Sequence, residues 1–353
     1  MKKYRILFHN DTYDKASIYL DGLKAGTTPG KYLGDRLINV DIHQITVAEF
    51  IELLLRTKLP QIFAESEVYG NGTDWSREEL SILGDINIAT PVTVFDNGSH
   101  ADPDVHKVPF EATLVFTPGA LLRNGKHITP SDWGVVTKDG EIDPEAYYKL
   151  YERRLLPGFI HANKTAKSHG NMAIVTLPGI GCGQFAGMFR GHLGLKLQKA
   201  LIRLLETHGN TLSNIKCVYY DPYQECEKVR LEIKGIHFLV RPLLKGNAGK
   251  PQLCRPVAYE EEGDDFGQCE LFSFVAWDHV SWPGNDFYTG SRLTDDGVKA
   301  AATNVMCIMT GIEGKYDPAV KKYLPPAGYV NWQEVITKNK IQLEARNNIV
   351  ILP

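Results

Sequence analysis

"NMAIVTLPGIGCGQFAGMFRGHLGLKLQKALIRLLETHGN", residues 171–210, reads as a short apolar run, a glycine-rich turn and a long amphipathic stretch closed by Gly209. The spacing predicts a strand, a loop and a helix in succession. Gly179, Gly181, Gly183 and Gly187 stand between the two elements. Glycine there lets the backbone take positive φ and approach a ligand closely, turning several N–H groups into one concavity. The positive end of the following helix adds to this, so the loop suits a diphosphate. A tight turn that merely packs a helix against its strand is the plain alternative. No Gly-Lys-Ser/Thr follows, which excludes a P-loop. The GxGxG spacing, with no evident acidic residue about twenty positions on, fits a dinucleotide fingerprint poorly. The candidate contacts are therefore Gly179, Ile180, Gly181, Cys182 and Gly183, with Gln184 and Phe185 beside them. Cys182 is expected to offer its N–H and not a nucleophilic thiolate, since no histidine stands nearby in sequence.

Outward from this unit, strands and helices alternate. "YRILFH", "PVTVF", "ATLVFTPGALL", "IKCVYYDPY", "IHFLVRPL" and "CELFSFVAWD" read as strands. "TVAEFIELLLRTKL" (46–59), "PEAYYKLYERRLL" and a stretch from Thr294 to Met309 read as helices. The pattern predicts an α/β sandwich around a mostly parallel sheet. No internal repeat, low-complexity tract or linker divides the 353 residues, so one elaborated domain is expected. A formal net charge of −3 gives no broad basic field, which argues against nucleic acid as a partner. No apolar stretch approaches the roughly 20 residues of a membrane span. The start, "MKKYRILFHNDTYD", lacks the apolar segment of a Sec-type signal, so a cytoplasmic location, or export by a route that reads no such signal, is expected. The six cysteines are scattered, with no CxxC pair, which disfavours a disulfide framework or a zinc site.

Three motifs in chain order resemble macrodomains, the ADP-ribose-binding α/β/α modules. "LPGIGCGQFAG" is similar to their diphosphate loop, and Gly84-Asp85-Ile86 to the Gly-Asp-Ile that precedes the strand leading to the distal-ribose loop. "DNGSH", Asp96–His100, stands where many macrodomains carry Asn-Ala-Ala-Asn. The resemblance spans about residues 80–310, with residues 1–79 and 311–353 as N- and C-terminal additions. It implies a macrodomain-like three-layer α/β/α sandwich with a mixed, mostly parallel central sheet. It also implies Asp85 as partner of the adenine amino group with the Ile86 N–H beside it, and Asn97 and Gly98 as ribose and phosphate contacts. The glycine-triplet and paired-glutamate signature of poly(ADP-ribose) glycohydrolases is missing, which disfavours degradation of the polymer.

The second informative stretch is "SFVAWDHVSWPGNDFYTGSRLTDDGVKAAATNVM", residues 273–306, which places Asp278, Asp286, Asp295 and Asp296 on one strand-to-helix connection. Ligands of open α/β sheets collect at the carboxyl ends of strands, where Asp278 stands. Asp295 and Asp296 follow Thr294, a good N-cap, and acids in a first helical turn gain roughly 0.3–1 kcal/mol from the dipole. Asn285-Asp286 after Pro283-Gly284 also suits an ordinary turn. The spacing of Asp278, Asp286 and Asp296 resembles the acidic constellation of Legionella macrodomain effectors that remove ADP-ribose from an arginine of ubiquitin. That resemblance implies Asp286 and Asp296 as the essential acids, Asp278 as an orienting or assisting acid, and Asn285 as a contact for the ribose hydroxyls. Trp282, Phe287 and Tyr288 would stack on adenine, meet a protein partner or pack in the core.

Cleavage of a ribose–guanidinium N-glycosidic bond passes through an oxocarbenium-like state, which carboxylates stabilise and serve, so the chemistry needs neither metal nor cofactor beyond ADP-ribose as ligand. The expected partner is an ADP-ribosylated protein, with ubiquitin entering through the resemblance alone, and an exported effector would act in the host-cell cytosol. The competing expectations are a hydrolase of ester-linked ADP-ribose and a non-catalytic ADP-ribose reader.

Overall fold

The computed structural model describes residues 4–125, 128–345 and 348–353. Nine strands form one sheet. They are β1 (Arg5–His9), β2 (Asn87–Asp96), β3 (Val105–Pro118), β4 (Met172–Pro178), β5 (Ile215–Asp221), β6 (Val229–Ile233), β7 (Ile236–Val240), β8 (Cys269–Trp277) and β9 (Ile349–Leu352). Their order is β9-β1-β2-β3-β8-β4-β5-β7-β6. The pairings β9-β1, β3-β8, β8-β4, β4-β5 and β5-β7 are parallel, and the other three antiparallel. The expected mixed, mostly parallel sheet is present, and the terminal segments that sequence set apart as additions supply β1 and β9 to it.

Helices cover both faces. On one side lie α1 (Asn10–Lys24), α2 (Val47–Leu55), α3 (Arg77–Leu83), α6 (Asp295–Ala302), α7 (Val305–Thr310) and α8 (Trp332–Asn339). On the other lie α4 (Pro144–Ser168) and α5 (Leu193–His208). Each face has its own apolar cluster, so the sheet is the middle layer of three. Among the described residues no helix is long and apolar enough to cross a membrane.

Two local departures from the sequence reading have tertiary causes. Helix α4 starts on an Asp143 cap with Pro144 in its first turn, and then runs past Pro157 to Ser168. Its inward positions Tyr151, Leu155, Phe159, Ala162 and Ala166 keep one face buried through the break that proline would otherwise cause. The helix expected from Thr294 to Met309 is two helices, because extended Thr303 interrupts it. Asn304 is drawn onto β2 there, its Oδ1 accepting from the Thr93 N–H at 2.8 Å.

Gly158 marks where α4 sits closest to the sheet: a Cβ there would come within 2.6 Å of the Phe274 ring and 3.0 Å of Val115. Gly158→Ala is expected to lower unfolding stability by about 1–3 kcal/mol through overpacking, despite alanine's better helix propensity, as read from the urea midpoint at constant m-value.

Candidate functional site

The parallel strands β8, β4 and β5 end on one side of the sheet, and there the backbone opens a cleft of about 770 Å³. Its walls come from the glycine loop after β4, the acidic connection after β8, the β2–β3 turn at Gly98–His100, Asp221 at the end of β5, and Phe63 and Glu65 from the N-terminal segment.

The glycine loop does not run straight into α5. A short 3-10 turn, Gln184–Phe189, intervenes before the helix starts at Leu193. The N–H groups of Gly181, Gly183 and Gln184 make no hydrogen bond among the described residues, and Gly181 takes φ of +77°. That leaves an anion cradle of backbone donors with the Arg190 side chain at its edge. The cradle is fixed from below: the Tyr151 hydroxyl donates to the Ile180 carbonyl at 2.7 Å, and a Cβ on Gly119 would come within 2.5 Å of Gly181. Cys182 is buried beside its loop and burial pushes its thiol well above the usual range, so it is no thiolate nucleophile. Gly179, Gly181, Cys182, Gly183, Gln184 and Phe185 line the cleft, whereas Ile180 is wholly buried beneath it.

The acidic connection sorts its four aspartates by hydrogen bonding. Asp278 accepts through Oδ1 from the Val280 and Ser281 N–H groups at 2.7 and 3.1 Å. Its Oδ2 has only two long contacts, 3.4 Å each, from the Ala64 N–H and Asn285 Nδ2. Burial raises the Asp278 pKa, opposed by the Val280 N–H, His279 and Lys58. Asp295 is neutralised by Lys299 at 2.7 Å and caps the Ala276 N–H at 2.8 Å. Asp286 does not line the cleft; it lies behind the wall, accepting from the Leu293 N–H at 2.8 Å and from the Thr294 hydroxyl. Gly297 makes room for it, since a Cβ there would lie 1.8 Å from Asp286 Oδ1.

Asp296 differs from the rest. It lines the cleft, is 2% exposed, and its Oδ2 has no partner among the described residues. Its Oδ1 lies 2.6 Å from the Thr294 hydroxyl, which also contacts Asp286 and accepts from the Gly297 N–H at 3.1 Å. One hydroxyl proton cannot serve two carboxylates, so Thr294 leaves one of the two without its donor. Burial, with the charges of Asp286, Asp278 and Asp295 behind it, pushes the Asp296 pKa far upward against the opposing Thr294 hydrogen bond, which favours the protonated form of Asp296.

Other candidates from the sequence have different surroundings. Asp85 and Ile86 lie outside the cleft. Burial alone would raise the Asp85 pKa, but Lys15 at 2.6 Å, Arg153 at 2.5 Å and Arg154 at 3.0 Å outweigh it and hold the carboxylate well below its usual range. Its oxygens are thus occupied by cations of the protein itself, and Ile86 is core. Asn97 holds its own turn through Ser99 and Asp104, leaving Gly98 as the residue of that pair on the cleft. Asn285 lines the cleft but spends its amide on both backbone groups of Ile62. Trp282, Phe287 and Tyr288 are buried in the core and none lines the cleft.

Sequence reading missed Phe63, Glu65, His100, Asp221 and Gln252 on the walls. Asp221 was findable, because it ends a parallel strand on the ligand side. Phe63 and Glu65 carry no sequence signal, and reach the cleft only because residues 59–64 are bonded to the acidic connection: Leu59 pairs with Val280 and Trp282, and Ile62 with Asn285.

Residues 4–329 match the family described as the macrodomain effector MavL, and the chain belongs to that family of ADP-ribose-binding macrodomain effectors. The match starts at residue 4, immediately before β1, so the N-terminal segment that contributes Phe63 and Glu65 is part of the family's domain. No curated protein matches the chain.

Because Asp85 is the shared counter-ion of three cations, Asp85→Asn is expected to cost about 3–5 kcal/mol of stability by removing the one carboxylate that Lys15, Arg153 and Arg154 share. Calorimetric affinity of the folded variant for ADP-ribose should stay at the parent value; a selective loss of that affinity would return Asp85 to a ligand-binding role.

Proposed function

We propose that the protein is an ADP-ribosyl hydrolase that releases ADP-ribose from mono-ADP-ribosylated arginine on a protein, with ubiquitin the first protein to test. The observation that carries the reading is Asp296: a buried carboxyl with a raised pKa and a free oxygen, on the same cleft as the anion cradle. In this reading the diphosphate lies on the N–H groups of the glycine loop, which puts the distal ribose at the β8 end under Asp278 and Asp296. The adenine end has Phe185 as an aromatic face.

Burial raises both carboxyls, Asp296 the further, and paired acids set apart in this way can divide a reaction. Asp278 has two backbone donors on one oxygen and Lys58 nearby, so it is the better placed to carry charge and stabilise the positive ribose C1″. As the C1″–N bond breaks, its electron pair leaves with the guanidine nitrogen, which takes the Asp296 proton and departs as guanidinium. Water adds to C1″ and returns a proton to Asp296, so charge and protons balance. Asp286 positions this centre: it orients Thr294, and its charge helps to keep Asp296 protonated.

The test is release of ADP-ribose from arginine-ADP-ribosylated ubiquitin, beside serine- and acid-linked substrates. Asp296→Asn is expected to lower kcat by about 10²–10⁴-fold with ADP-ribose binding retained, the range for loss of a general acid. Activity in the parent should fall as pH rises through the elevated Asp296 pKa, since the acid form is then lost. Asp286→Asn removes a neighbouring negative charge and should move that alkaline limb to lower pH, a shift that a purely structural role would not give. A parent protein that binds ADP-ribose and cleaves none of the substrates would be a reader, and release confined to the acid-linked substrate would make it an esterase-type hydrolase.

A further inference from the structure

The cleft carries six acids, and their hydrogen bonds account for most of them. Asp295 is paired with Lys299. Asp221 accepts from the Tyr223 and Leu243 N–H groups, both at 2.8 Å. Glu225 accepts from the Gly194 N–H at 2.6 Å. Asp278 is bonded on both oxygens, and Asp296 is the acid assigned to the bond-breaking step. Glu65 remains. Among the described residues its carboxyl receives no side-chain hydrogen bond; burial, joined by the Asp278 charge, raises its pKa, while its own N–H and the Arg123 charge oppose that rise.

Glu65 is nonetheless firmly placed. The Leu59 N–H donates to the Val280 carbonyl at 2.9 Å and the Trp282 N–H to the Leu59 carbonyl at 2.8 Å. The Asn285 side chain closes on both backbone groups of Ile62, at 3.1 and 2.9 Å. The Gly125 N–H holds the Glu65 carbonyl, and the Ala64 N–H reaches Asp278. The segment thus hangs Glu65 on the wall of Asp278, near enough for the Asp278 charge to act on it. Phe63, two residues earlier, lines the same wall.

A carboxylate with unspent acceptors next to an aromatic ring is what a planar guanidinium binds, by paired N–H donation to the oxygens and by stacking on the ring. The free, buried Asp296 oxygen on the same cleft marks where the bond to that group would break. We infer that Glu65, supported by Phe63, is the specificity-determining residue that receives the guanidinium of the modified arginine, making linkage preference a property of the N-terminal segment. The inference rests on the arginine-hydrolase reading above.

Calorimetry on the full chain tests it in an Asp296→Asn background, so that ligands survive the titration. The ligands are ADP-ribosyl-arginine, ADP-ribosyl-serine and free ADP-ribose. Adding Glu65→Gln should weaken the arginine conjugate by on the order of tenfold, the size of a lost hydrogen bond to a charged group, and leave the other two within about twofold. Equal weakening of all three, or no change in any, overturns the assignment. Glu65→Asp, which keeps the charge, should retain more of the arginine preference than Gln does; if it does not, charge recognition is wrong. Release assays on the parent judge the hydrolase reading separately, because a parent inert toward arginine-linked protein with an intact Glu65 binding contrast would discard the reaction and keep the recognition.

Discussion

The architecture around the cleft depends on one buried guanidinium. Arg154, 1% exposed on α4, donates to Asp85 ahead of β2, to the Gly119 carbonyl beyond β3, and through Nη2 to both Asp132 oxygens at 2.9 and 3.0 Å. Asp132 in turn accepts from the Leu121 N–H at 2.8 Å and pairs with His279 at 3.2 Å. Burial would raise the Asp132 pKa, but Arg154 and then His279 outweigh it and keep the carboxylate ionised. A buried ion set of this kind adds little net stability over an apolar one, yet leaving any member alone is costly. Its consequence here is geometric: the end of β3, the loop after it and the residue next to Asp278 are all referred to one side chain.

That reference explains how the acidic connection can hold four carboxylates without mutual disruption. Asp295 is cancelled by Lys299, Asp278 is bonded by its own turn, and Asp286 is drawn behind the wall into the space that Gly297 leaves. Asp296 is the member with least compensation, and burial together with the remaining repulsion pushes its pKa far upward. The acids thus become unlike through their donors and not through their identity. Lys58 adds to the contrast: buried beneath the Trp277 ring at 4.1 Å and bonded to the His279 carbonyl, it has its pKa pushed down by burial to about 7, with Asp278 opposing.

The domain's N-terminal segment belongs to this arrangement as much as the sheet does. Residues 59–64 form backbone bonds with the acidic connection, so neither segment has its observed shape without the other. A macrodomain core alone would present the glycine cradle, whereas the wall that carries Phe63 and Glu65 also needs chain from before α3.

Much was legible in sequence. The apolar run, glycines and amphipathic stretch of 171–210 specify a strand, a tight loop and a helix because only those conformations bury that pattern and tolerate those glycines. The alternation of such units gave the α/β layers, and the Asp278 to Asp296 spacing pointed to a connection that lines the cleft. Sequence did not separate Asp286 from Asp296, because both are aspartates near a helix start and their difference lies in which faces the cleft and which faces Thr294 and Gly297. It offered Asp85 as a ligand residue, since a short motif shows the carboxylate and hides the three cations that α1 and α4 bring to it. It gave no sign of Glu65. Local pattern determines which segments become strands, helices and turns, because those choices depend on neighbours a few residues away. Which carboxyl is protonated, paired or free depends on donors tens to hundreds of residues distant, and only the folded chain brings them together.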